Sequence, residues 1–517
     1  MKNKLAYMIN RTSRYFPDDT ALVYGDKRFT FKEVNDRSNR CAKALARLGV
    51  KKGDRVAILL PNCNEFVEVD FALIKSGFVR VPLNPRLSSN ECSYIINDSE
   101  ANTLVFSSEL YDKVKDIIKD LETVKNFIFV GDDPDEYKEF FQDYEEMLKL
   151  ENSEEVYEEV SNEDLYQILY TSGTTGKPKG AVTDFQSRYS SLITCLVDEM
   201  KINRNDVLLT VAPIAHGGGT KILPHFVQGA CNVIMPRFST KDFCKIVEKE
   251  KVTTIWMVPT MINMLINFKE LDNYDLSSIK TIVYAAAPMP VSLLKQAMNK
   301  FGRVFVQVYG LSEAPNPVLV LPKEDHVLEG TDEQLKRLQS AGREAFGVRV
   351  RVVDDNDKDV EVGEIGEIIT TGENVMREYW KKPEESAKEL KDGWFYTGDM
   401  AKIDENGYVY IVDRRKDMII SGGFNIYPRE IEEVLYEHPE IQDAVVFGLP
   451  DELWGEKVKA VVVLKEDSKS NEEDILDYCD GKIANYKIPK SIDIVDNLPK
   501  GPTGKILKKE TKKWYTN

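Results

Sequence analysis

Histidine and clustered cysteine are scarce in this chain of 517 residues. The four histidines (His216, His225, His326, His438) are too dispersed to suggest a metal cluster. The seven cysteines (Cys41, Cys63, Cys92, Cys195, Cys231, Cys244, Cys479) form no CxxC pair. Their odd number and scatter speak against a disulfide framework or a zinc site and for free thiols in a reducing compartment. No apolar run is long enough to cross a bilayer. The first sixteen residues lack the apolar centre of a signal peptide, so a cytoplasmic protein with no membrane span is the default expectation. Positive charge is also in deficit. A formal net charge of −17 repels nucleic acid and anionic lipid, so neither is expected as a partner. An anionic substrate would need locally placed cations. There is no internal repeat.

What is present reads as alternating strands and helices. Residues 36–48 put Cys41, Ala44, Leu45 and Leu48 on one helical face, and Gly49 supplies a natural stop. Short apolar runs at 56–60, 104–106, 127–130, 207–211, 255–258, 282–285 and 304–308 read as buried strands. The expected fold class is α/β, a large N-terminal domain of layered sheets and helices. The acidic stretch 132–164 reads as a solvated helix and linker. After Arg414-Arg415-Lys416-Asp417, about a hundred residues follow a helix, strand, strand, helix, strand order. They are enough for a small C-terminal α+β domain. The expected domains are 1–415 and 416–517.

The most informative segment is Tyr170-Thr171-Ser172-Gly173-Thr174-Thr175-Gly176-Lys177-Pro178-Lys179-Gly180. Glycines let backbone N–H groups approach an anion, hydroxyls add donors and lysines add charge. Phosphate binding is the implied chemistry. It is not a Walker A loop, since Thr171 stands six positions before Lys177 and Pro178 follows it. This segment resembles the TSGTTGxPKG loop of the adenylate-forming superfamily, which holds acyl-CoA synthetases, luciferases and the adenylation domains of peptide synthetases. The resemblance covers nearly the whole chain, from Phe29-Thr30-Phe31-Lys32-Glu33-Val34 and Lys75-Ser76-Gly77 onward.

The resemblance implies roles for the later motifs, which stand in the family's order. Tyr309-Gly310-Leu311-Ser312-Glu313 matches YGxTE, so Tyr309 would pack on adenine and Glu313, with Thr171, would hold Mg²⁺. Gln307 would sit near the adenine amino group, and Ala286-Ala287-Pro288 would form the adenine-side turn. Asp399, in the YxTGD match, would take the ribose hydroxyls, with Arg414 holding the ribose from the hinge side. Lys416 would be the hinge. Gly422 and Gly423 would border a CoA tunnel, beside a Phe424 where many acyl-CoA synthetases have Glu. Lys505, in the Pro499-Lys500-Gly501-Pro502-Thr503-Gly504-Lys505 match, would be the catalytic lysine, acting with Glu313 and Thr174.

The resemblance also implies an AMP-forming acid–thiol ligase that uses ATP, Mg²⁺ and CoA on a small-molecule carboxylic acid. The acid pocket would draw on His216, Gly217, Gly218, Tyr284 and Ala285. Three glycines, 217–219, leave room and favour a medium- or long-chain fatty acid, with an aromatic or alicyclic acid as the alternative. Ile214-Ala215-His216 stands where amino-acid-activating domains carry Asp, which speaks against an amino acid. Lys221 is read as solvent-facing, with a polar contact to the substrate as the other reading. A fatty acyl-AMP ligase, a luciferase-like oxygenase, a nucleotide-binding sensor and homodimerisation all remain open at this level.

Overall fold

The structure, a computed structural model, describes residues 3–132, 140–171, 177–315, 317–466, 468–501 and 505–516. The chain is mixed α/β. A nine-stranded sheet has a parallel centre made of Phe305–Tyr309, Thr281–Tyr284, Thr254–Met257, Val207–Thr210, Cys231–Ile234 and Thr20–Tyr24 in that order. An eight-stranded sheet carries Arg55–Leu59, Val79–Pro82, Thr103–Ser107 and Asn126–Val130 as parallel neighbours. It also carries the antiparallel pair Leu165–Thr171 and Lys179–Asp184. A five-stranded antiparallel sheet from Val348–Val353 to Val409–Arg414 completes the large part. The parallel strands are the apolar runs of the sequence because both of their faces are covered.

Helix Phe31–Arg47 shows how local sequence sets an element. Thr30 accepts from the Glu33 N–H at 3.1 Å, and Glu33 returns a bond to the Thr30 N–H at 2.7 Å. This reciprocal cap is worth about 1 kcal/mol, so Thr30→Ala is the single change that would loosen it most. The helix buries Phe31, Val34, Cys41, Ala44 and Leu45, and the chain turns at Gly49 with φ +89°. The wholly buried Lys75 sits against it. Its ammonium donates to Asn35 Oδ1 (2.6 Å), Ser38 Oγ (2.7 Å) and Asn39 Oδ1 (2.8 Å). Burial lowers its pKa to about 7.

The acidic stretch is not a free linker. Within its described part, Phe141–Asp143 pairs at a sheet edge and Tyr144–Lys149 buries Tyr144, Met147 and Leu148. Further along, Glu151 pairs with Arg47 at 2.6 Å and Asp164 with Lys52 at 2.6 Å, while the Glu158 N–H donates to Lys75 O at 2.9 Å. The charges are thus a solvated strap over the first helices. Beyond Lys416 a hairpin, Ile419–Ser421 and Phe424–Ile426, leads to helix Pro428–Glu437. The long pair Ile441–Asp451 and Gly455–Leu464, helix Glu472–Cys479 and strand Ser491–Ile494 follow. This part has cores of its own. Among the described residues no helix is long and apolar enough to cross a membrane.

Candidate functional site

The carboxyl ends of the parallel strands and the antiparallel sheet meet at Asp399. Asp399 stands opposite Arg414 in the ladder between Trp394–Ile403 and Val409–Arg414. Arg414 Nε lies 2.9 Å from Asp399 Oδ1, and the Tyr309 hydroxyl donates to Asp399 Oδ2 at 2.6 Å. The Asp399 N–H is held by Thr397 Oγ1 at 3.1 Å. Asp399 is only 4% exposed, so its orientation is set before any ligand arrives. The loop 311–314 after Gly310 is closed by the Leu311 N–H to Ala314 O at 3.0 Å, with Ser312 on its way to Glu313.

Glu313 has partners that its motif did not announce. The Tyr379 hydroxyl lies 3.0 Å from Glu313 Oε1 and also meets Glu389. Lys179 pairs with Glu389 at 3.1 Å and stands over the Tyr379 ring at 4.3 Å. Tyr379 reaches this place because its strand pairs with Lys179–Asp184, a contact without a signal in sequence spacing. Burial pushes the Glu313 pKa up, and the negative Glu389 adds to it. One phenol proton serves two carboxylates here, so a cation would relieve the crowding. No group of three His, Cys, Asp or Glu that could hold a metal occurs among the described residues. Thr171 lies at a strand end with its hydroxyl 3.5 Å from Lys179 O. These donors therefore fit a Mg²⁺ that arrives with phosphates rather than a free-standing metal centre. Ser172, Gly173, Thr174, Thr175 and Gly176 lie outside the described residues. Lys177, just after them, stands over the Tyr94 ring at 5.1 Å.

At the turn expected to face adenine, Ala286 is held at φ +70°, which costs a non-glycine residue about 1–2 kcal/mol. Ala287 and Pro288 continue that turn. Gln307 Oε1 accepts from the Tyr284 hydroxyl at 2.9 Å, and Tyr284 also meets His326 Nε2 at 3.0 Å. This corrects the expectation for Tyr284. Its ring is fully buried on the sheet face shared with Met257 and Phe305, whereas Trp256 and Ala285 belong to the other face. Tyr284 therefore supports Gln307 and does not line the face where His216 and Gly217 lie. His326 is the second residue that sequence reasoning missed.

The glycine segment is tightly packed. A β-carbon at Gly217 would stand 2.8 Å from the Trp256 ring. At Gly218 it would stand 2.4 Å from Ala212 O, and at Gly219 2.4 Å from Ile214 O. The three glycines admit close packing of their own turn and of Trp256. The Trp256 indole N–H is buried and has no hydrogen-bond partner among the described residues. His216 is pushed down to about 4 by burial and by Arg80, so it is neutral at physiological pH. Lys221 is neither solvent-facing nor free for a substrate. It is 1% exposed and donates to Glu199 Oε1 at 2.6 Å. Glu199 closes the π-helical turn Cys195–Glu199, which no local pattern announced.

Across the cleft, Lys505 follows Gly501, whose N–H donates to Lys505 O at 2.7 Å. Its residue surface is open to solvent, yet protein surrounds it on the larger scale. That burial lowers its pKa, followed by the like charge of Arg414, against the opposing pull of Asp399 and Asp417. Lys505 is therefore in electrostatic reach of the Asp399–Arg414 pair. Lys416 feels Lys505 too, and burial lowers its pKa. Gly422 and Gly423 both have positive φ (+59° and +83°) and form the two-residue turn of their hairpin. A β-carbon at Gly422 would meet Trp454 at 2.7 Å, while Gly423 faces open space. Phe424 stacks on Tyr486 with centroids 4.6 Å apart.

With this geometry in place, the likeness to known proteins is direct. Residues 9–380 match the AMP-binding enzyme family and residues 430–505 match the AMP-binding enzyme C-terminal domain, so the chain belongs to the AMP-binding enzymes. It is 36% identical over 509 residues to a feruloyl-CoA synthase of an Amycolatopsis species, covering 98% of each chain. It is 34% identical over 522 residues to the long-chain-fatty-acid–CoA ligase FadD13 of Mycobacterium tuberculosis, covering 100% of this chain and 99% of the other. The anthranilate CoA ligase AuaEII, solved with anthranoyl-AMP, superposes with a TM-score of 0.91 at 27% identity. That match covers 99% of this chain and 96% of the other. Within the family the protein is an AMP-forming acid–thiol ligase of the acyl-CoA synthetase class, for which ATP and CoA are substrates.

Proposed function

We propose that the protein joins a compact, planar carboxylic acid to CoA through an acyl-adenylate. The carrying observation is Trp256 packed on Gly217, which we read as closing the acid pocket to a long acyl chain. The unpartnered indole N–H would serve an oxygen substituent on such an acid. A feruloyl-CoA synthase and an anthranilate CoA ligase among the relatives support this reading. The likeness to FadD13 supports a second reading, a medium- or long-chain fatty acid.

In the proposed first step the acid's carboxylate oxygen attacks the α-phosphorus of ATP, and pyrophosphate leaves. Positioning and charge neutralisation carry such a step. The loop 171–177 would cradle the phosphates. Tyr309 would pack on adenine, Gln307 would take its amino group, and Asp399 with Arg414 would hold the ribose. Glu313 would hold Mg²⁺, which neutralises phosphate charge when bound. Lys505 would meet the carboxylate and the α-phosphate as charge builds. In the second step a CoA thiolate attacks the acyl carbon and AMP leaves. Between the steps the part 416–517 would turn about Lys416 relative to 1–415, replacing Lys505 with the Gly422–Gly423 turn.

The test is pyrophosphate release and thioester formation with benzoates, cinnamates and C8–C16 fatty acids, with and without CoA. Turnover of the aromatic acids at least tenfold above the fatty acids is expected. Preference for C12–C16 acids would reject the compact-acid reading. Pyrophosphate release that never leads to a thioester would reject CoA as the acceptor.

A further inference from the structure

Arg429 bridges the two parts of the chain where they flank Lys416. It is the second residue of helix Pro428–Glu437, beyond the hinge position. Its guanidinium Nη1 donates at 2.9 Å to the carbonyl of Ile411, before the hinge position. Its backbone N–H donates at 3.0 Å to Asp413 Oδ2, while Asp413 Oδ1 accepts from the Arg414 N–H at 2.7 Å. Glu433, one turn further along the helix, pairs with Arg429 Nε at 3.2 Å and steadies the side chain. The Arg429 side chain is 12% exposed.

Other contacts between the parts are weaker in kind. Ser292 Oγ donates to Tyr436 O at 3.1 Å, Asn263 reaches Gln442 O at 3.5 Å, and Lys269 pairs with Glu466 in open solvent. Beside Arg429 the two parts stand apart around a cavity of about 290 Å³ lined by Lys336, Lys402, Tyr410 and Glu433. Along this edge the hydrogen bonds of Arg429 therefore carry the contact. A cation donating to a backbone carbonyl in a half-dry interface makes a stronger bond than a neutral pair does.

We propose that Arg429 is a latch that holds the small part where Lys505 reaches the Asp399–Arg414 pair. It is a positioning residue for adenylation, and its bond to Ile411 breaks before thioester formation. This rests on the two-orientation reading proposed above. Among the described residues Arg429 makes no hydrogen bond or ion pair to the acid pocket or to Asp399, so its effect would come through Lys505.

The experiment separates the two half-reactions in Arg429→Ala and Arg429→Lys. The alanine variant is expected to slow acid-dependent ATP–pyrophosphate exchange about tenfold, the scale of one lost charge-assisted bond. Thioester formation from supplied acyl-adenylate should hold its rate or rise. The lysine variant, which keeps the charge but not the fork, should fall between. In a Lys505→Ala background, Arg429→Ala should have no further effect on adenylation. Equal loss in both half-reactions, or no loss in adenylation, overturns the latch. Should the wild-type protein adenylate no acid, the functional reading fails and the latch is judged by tryptic cleavage at Arg415 and Lys416. Cleavage several-fold faster in Arg429→Ala supports it, and an unchanged rate rejects it.

Discussion

The two sides of the cleft are built differently. On the large side, Asp399 is gripped by Arg414, Tyr309 and Thr397, and Gln307 is gripped by Tyr284. Each of these groups stands on or beside a paired strand, and its partner comes from the protein itself. On the small side, Lys505 hangs from a short loop tied by a backbone bond from Gly501 and a bridge between Lys500 and Ile506. The large side is organised before a nucleotide arrives, whereas the lysine is brought to it by the placement of a whole part. The first arrangement suits holding a substrate in place, and the second suits a charge that is needed for one step only.

The largest expected effect tests that division most directly. Lys505→Ala should slow adenylation by roughly 10²–10³-fold while sparing thioester formation from supplied acyl-adenylate. An equal fall in both half-reactions would erase the difference between the two sides. Asp399→Ala leaves the Tyr309 hydroxyl and Arg414 facing an empty place. Weaker ATP binding by about 2 kcal/mol, or roughly 30-fold, is expected, read as the dissociation constant for ATP. A normal dissociation constant would show that the large side is not organised for the ribose.

Tyr284→Phe should cost about 1 kcal/mol, roughly fivefold in the KM for ATP, and leave the KM for the acid unchanged. A change confined to the acid would return Tyr284 to the acid pocket. The smallest effect is in pH. Because the Lys505 pKa is lowered, its charge is lost earlier than for a free lysine as pH rises. Adenylation should therefore decline on the alkaline side before an ordinary lysine would titrate, and the second half-reaction should lack that limb. Parallel pH profiles for the two half-reactions would contradict this.

Strand positions were legible because buried parallel strands are short apolar runs. The run at 255–258 becomes Thr254–Met257, and the run at 127–130 becomes Asn126–Val130. The small part's order of elements was equally legible, apart from its leading hairpin and its closing helix Lys508–Lys513. The motif residues could be named as candidates from the sequence, but their partners could not. Tyr379 meets Glu313 across 66 positions of sequence, and His326 meets Tyr284 across 42. Such pairs are set by which strands lie side by side, which spacing does not encode.

By itself, the sequence determined the α/β class and the family resemblance, and it named the candidates for the nucleotide site. These follow from local periodicity and from short motifs whose residues act close together in the chain. Tertiary structure alone decided that Tyr284 faces away from Trp256, that Lys221 is consumed by Glu199, and that the three glycines admit the close approach of Trp256 and of their own turn. The physical reason is the same in each case. A side chain's role depends on what fills the space beside it, and Trp256 comes to Gly217 only through the pairing of strands distant in sequence.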